Sequence, residues 1–179
     1  TEDLKNDALA IVNVADGACD VVKKVDINDE PFENALCISP DSRAVFVVTR
    51  PRKSASPMLY EVSLSAPYEV INSLAFPHAD LRGVAVSSQL NRAFVVDAGD
   101  TRGVHVIDTE TFQKVSTIVI PGGYIPTGLA MHPHDLVLAV MCRDSRTLFF
   151  FSVQTLDMLA RISGLGDHGY SPVFSHDGT

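Results

Sequence analysis

The sequence predicts an all-β chain of repeated four-stranded antiparallel units, and three observations predict it. The tetrad Ser39-Pro40-Asp41-Ser42 follows a short apolar run. It is echoed by Ser87-Ser88-Gln89-Leu90, His132-Pro133-His134-Asp135 and Ser175-His176-Asp177-Gly178. The second residues of these tetrads stand 48, 45 and 43 residues apart, the period of a β-propeller blade. Between the turns lie apolar runs of strand length, and no helical period is sustained. The runs are continuous rather than alternating, as expected where a blade is covered by a neighbour on each face.

With strands labelled a to d from the propeller axis outward, each unit can be justified in turn. The chain opens with a c–d pair, Ala8–Val14 and Val21–Val25, a partial blade over about residues 8–27. The blade over 34–76 has strands at Ala35–Ile38, Ala44–Val48, Leu59–Leu64 and Glu69–Leu74. The blade over 82–120 has Arg82–Val86, Arg92–Val96, Val104–Ile107 and Val115–Ile120. The blade over 127–163 has Thr127–His132, Leu136–Met141, Leu148–Val153 and Met158–Ile162. A lone strand a, Tyr170–Phe174, makes a last partial blade over 170–179. The turns agree with the strands, since Pro sets φ and Asp or Ser caps nearby amides. Asp108-Thr109-Glu110-Thr111 and Ser152-Val153-Gln154-Thr155 repeat this at the c–d turns. The expectation is one propeller domain over 1–179. It is either a piece of a larger propeller, which is favoured, or a small open or four-bladed ring. Unpaired edges on the end blades would invite edge-to-edge self-association.

Composition excludes several classes. At 179 residues, 46% hydrophobic and 20% charged, the chain reads as globular and large enough for a sizeable core. Its net charge of −8 argues against a nucleic-acid partner. The basic stretch Arg50-Pro51-Arg52-Lys53 reads as a solvated loop, with an anionic ligand as the alternative. No apolar run is long enough for a membrane span, and no signal peptide is visible at Thr1–Asp7. Cys19, Cys37 and Cys142 are an odd count without metal spacing, and the two in strands read as small buried hydrophobes.

The stretch Val104-His105-Val106-Ile107-Asp108-Thr109-Glu110-Thr111, then Thr117-Ile118, then Pro126-Thr127-Gly128-Leu129-Ala130-Met131-His132-Pro133 resembles the YVTN-type β-propeller repeat. The blade from Arg82 is looser, and without any Trp the chain lacks the Trp-Asp signature of WD repeats. In repeat style the neighbouring relatives are lactonase-like propellers and haem d1-binding propellers. The resemblance implies a periplasmic or secreted location. It specifies the fold and not the function, because the repeat residues make turns and packing.

Function is therefore expected in the rim loops. The d–a connections carry Glu30, Glu33, His78, Asp80, Tyr124, Asp167 and His168. Carboxylates suit a divalent cation such as calcium, and His with Asp suits a transition metal; a solvated rim is the plainer reading. His132 and His134 are expected as turn residues and His105 as a packed strand histidine. No nucleophile elbow, phosphate loop or metalloprotease motif occurs; the Pro121-Gly122-Gly123 run has no helix after it. The expected function is a binding or scaffolding propeller holding a protein or a small molecule at its rim. The alternative is a lactonase-like hydrolase, or a metal- or haem d1-binding propeller.

Overall fold

The computed structural model describes residues 8–15, 18–27, 30–51, 55–87, 89–166 and 169–178. Within them the chain forms fourteen strands, and among the described residues no helix occurs. β1 (Ala8–Ala15) and β2 (Ala18–Asp26) make a two-stranded sheet. The first blade is β3 (Glu30–Ile38), β4 (Ala44–Arg50), β5 (Met58–Ser63) and β6 (Val70–Ala75). The second is β7 (Leu81–Ser87), β8 (Arg92–Asp97), β9 (Gly103–Asp108) and β10 (Gln113–Val119). The third is β11 (Pro126–Met131), β12 (Val137–Cys142), β13 (Thr147–Ser152) and β14 (Met158–Ser163). Every blade is antiparallel with its strands in chain order. The first strands of successive blades pack on one another, β3 against β7 and β7 against β11. This is the arrangement of a β-propeller, with three complete blades and a two-stranded partial one.

The core lies between the blades. In β8, Ala93 and Val95 pack with the first blade, while Phe94 and Val96 pack with the third. In β4, Phe46 and Val48 face the second blade, and Val45 and Val47 face the segment that carries Val25 and Ile27. This two-residue alternation lets one strand serve two interfaces, so its sequence must be apolar throughout. Each fully buried Phe, Leu or Val contributes about 1.5–3 kcal/mol. Outer strands have less to cover: every residue of β14 is exposed. A buried hydrophobe follows β2, β6 and β10, at Ile27, Phe76 and Ile120, and plugs the seam as the chain crosses to the next blade.

The turns behave as their residues require. Asp41 Oδ1 accepts from Ser39 Oγ at 2.6 Å, and Asp177 Oδ1 accepts from Ser175 Oγ at 2.6 Å. The a–b turns carry a left-handed residue at Ser42, Asn91, Asp135 and Gly178. It is the fourth tetrad residue in three cases, but in the second blade it is Asn91, one residue beyond the echo Ser87–Leu90. At the c–d turn, Asp108 Oδ1 accepts from Glu110 N, Thr111 N and Thr111 Oγ1 at 3.0, 2.7 and 2.9 Å.

Two expectations are corrected. Residues 170–174 form no strand; they run beside β11, with Thr127 Oγ1 donating to Gly169 O at 3.3 Å and Ser171 Oγ donating to Leu129 O at 3.5 Å. An innermost strand needs a second strand to build a ladder, and among the described residues none pairs with this segment. Glu30 and Glu33 fall inside β3 and not in a connecting loop. The pairing there is irregular, slipping between Pro31 and Leu36, which is how a polar stretch enters a strand.

Candidate functional site

The d–a and b–c connections meet at one end of the blades and are tied to each other by carboxylates. Asp97 closes the apolar strand β8 and is 1% exposed. Its Oδ1 accepts from Asp80 N at 2.9 Å and from Gly99 N at 2.8 Å. Its Oδ2 lies 3.2 Å from Nε2 of His105, and the Thr101 side chain also donates to it. Burial pushes the Asp97 carboxyl up, but the bonds from His105, Asp80 N–H, Thr101 and Gly99 N–H outweigh it and hold it well below the usual carboxylate range. A second tie runs from Ala98 N to Asp80 O at 2.8 Å. Gly99 is needed here, because a Cβ would stand 2.8 Å from Asp80 N and 3.0 Å from His78 O.

The third blade repeats the clamp with different residues. Asp144 in its b–c loop accepts from Ile125 N at 3.2 Å. Ile125 and Asp80 each immediately precede the first strand of their blade. Arg102 Nη1 adds a bond to Gly123 O at 3.3 Å, joining the second blade's rim to the third's.

Of the expected site residues, His78 and Asp80 share one loop. The Asp80 carboxylate is engaged, its Oδ2 accepting from Arg82 Nε at 3.0 Å and also from Nη2. His78 is exposed, holds a left-handed φ of 65° and lines a pocket of about 300 Å³ with Phe76, Asp97, Asp100, His105 and Lys114. Tyr124 stands on the next loop, its ring 6.4 Å from that of Phe149. Glu30 and Glu33 have only their backbone course described, and Asp167 and His168 lie outside the described residues. Among the described residues no group of three or more His, Cys, Asp or Glu side chains is placed to hold a metal ion.

His105 is buried, as expected of a strand histidine, and packs on Phe76 with ring centroids 5.0 Å apart. Its pairing with Asp97 was missed. The signal was present as one ionisable residue in each of two apolar runs, but recognising the pair requires the register of β8 on β9. His132 accepts from His134 N at Nδ1, 3.1 Å away, and its ring meets Phe174 edge-on, which favours the turn reading for both histidines. Cys142 is buried, and burial together with the Asp144 charge pushes its thiol up to about 12, far from thiolate chemistry.

The sequence matches no known family profile and no curated protein. Among solved structures, a chain of Kuenenia stuttgartiensis hydrazine synthase superposes with a TM-score of 0.76 at 17% identity. The match covers 94% of this chain and 60% of that one. The shared feature is the fold. Likeness at this identity carries no activity across, and the YVTN resemblance remains a resemblance.

Proposed function

We propose that this chain is a binding propeller whose recognition surface is the rim formed by its d–a and b–c loops. The observation that carries this reading is the clamping of those loops. Asp97 and Asp144 each grip the amide that leads into their blade's first strand, and Arg102 ties neighbouring rims. Loops so fixed present His78, Asp100 and Tyr124 on a pre-organised surface, which lowers the entropic cost of holding a partner. The opposite end has a pocket of about 450 Å³ among the turns, but Ser39, Asp41 and Ser63 there are used in closing those turns.

A small-molecule fragment screen read by amide NMR tests this. Shifts are expected to gather on residues 77–80, 98–102 and 122–125. Shifts confined to the a–b and c–d turns, or none, would overturn it. A lactone and ester substrate screen with and without divalent metal, together with an absorption spectrum, tests the lactonase-like and haem d1 alternative. Turnover or a haem band would replace the binding reading.

A further inference from the structure

The Asp97–His105 pair is not repeated in the other blades. Strand register gives its counterparts: Val95 pairs with His105, Val140 with Phe149 and Val47 with Tyr60. At the place of Asp97 the first blade has Thr49 and the third has Cys142. At the place of His105 they have Tyr60 and Phe149. The third blade thus closes the same seam with Phe149 and Ile120 and no ionisable group. A carboxylate and an imidazole buried where a thiol and a phenyl ring suffice mark a local specialisation.

The pair is also incomplete. Asp97 is saturated, and its carboxylate takes the Nε2 side of the ring. His105 Nδ1 is buried and has no hydrogen-bond partner. A buried ring nitrogen left unmet is destabilising. His105 lines the pocket of about 300 Å³ described above, beside Leu74, Phe76 and Pro77. We propose that this pocket binds a small neutral molecule with a hydroxyl group on an apolar body, the hydroxyl bonding to His105 Nδ1.

The chemistry selects that class. The leftover ring nitrogen is a bare acceptor in the neutral imidazole and an N–H donor in the imidazolium, and a hydroxyl serves either. Leu74, Phe76 and Pro77 offer an apolar wall to the remainder of the guest. A metal is the weaker occupant, because no third ligand accompanies the described histidines and carboxylates. Nδ1 is sealed from water, so the guest must displace part of the pocket wall. The exposed side chains of His78 and Lys114 line the same pocket. This inference rests on the rim as a binding surface and names a ligand for one part of it.

The test uses phenol as probe and anisole as its control, since anisole keeps the ring and oxygen but has no donor. On the full chain at pH 8, phenol is expected to shift the His105 ring nitrogens and the His78 and Thr101 amides, with anisole at least about tenfold weaker. His105→Phe removes the acceptor and is expected to abolish the difference. His105→Phe keeps Asp97 and its bonds to Asp80 N and Gly99 N, and its amide spectrum, expected to match wild type in the third blade, shows that the loss is not misfolding. Equal response to both probes, or no ring shift at saturating phenol, overturns the inference; the latter is also expected if a lone water serves Nδ1. If other fragments still perturb residues 77–80 and 98–102, the rim reading survives while the hydroxyl site falls.

Discussion

Asp97 and the Asp80 peptide are joined twice, once through the Asp97 carboxylate to Asp80 N–H at 2.9 Å and once through Ala98 N–H to the Asp80 carbonyl at 2.8 Å. A strand end and a crossover loop separated by a whole hairpin are thereby made one unit. The carboxylate is the keystone, because it also holds Gly99 N–H and His105.

Its removal should be severe. Asp97→Ala leaves two part-buried amides and a buried imidazole without their acceptor, and is expected to destabilise the chain by about 3 kcal/mol. Urea unfolding checks this, with Asp100→Ala as an exposed control expected to stay within about 0.5 kcal/mol.

Acid should act through the same group. The Asp97 carboxyl is lowered in the fold, so the folded chain binds fewer protons than the unfolded chain as pH falls. Its contribution is fully present above about pH 4, the ordinary Asp value, and is lost as pH falls below that. Asp41 and Asp108 are also lowered. The measurement is therefore the difference in urea midpoint between wild type and the Asp97→Cys/His105→Phe variant from pH 6 to pH 3. Wild type should lose more.

Gly99→Ala forces a methyl against the Asp80 amide, and backbone cannot swing aside as a side-chain end can. A loss of about 1–3 kcal/mol is expected, with amide shifts in residues 77–80. A thermal melt equal to wild type would show that the two loops are looser than the bonds imply.

Gly128→Ala addresses the segment over β11. A Cβ there would collide with the Tyr170 carbonyl and crowd Ser171 Cα. The segment should lift while the blades stay intact. Hydrogen exchange is expected to rise at residues 169–174 and to be unchanged in β12 and β13.

The β14 edge carries exposed Met158, Leu159 and Ile162. If it mediates self-association, Leu159→Lys should shift sedimentation toward the monomer at high concentration.

The strands and turns were readable because each follows from a local cause. Apolar runs such as Ala93–Val96 must be buried on both faces, and Asp108 caps the amides two and three residues on. Three features were not local. Glu30–Asn34 lacks any apolar pattern, so its place in β3 depends on the partner strand β4. Tyr170–Phe174 has the pattern of a strand, but pattern alone makes no ladder. Asp97 and His105 stand eight residues apart, and only the β8–β9 register brings them together. Asp80 and His78 stand out in the sequence for their chemistry, yet the backbone of Asp80 matters more than its carboxylate, which Arg82 occupies.

The alternation along β8 gives the pair a kind of privacy. Asp97 and His105 lie on the side of the second blade turned toward the first, while Phe94, Val96, Val104 and Val106 on the other side carry the seam with the third. One blade can thus be rewritten on a single side without its other neighbour registering the change. An address made of three positions, 49, 97 and 142, already holds three different residues. A function written at such an address can be added, moved or erased one blade at a time.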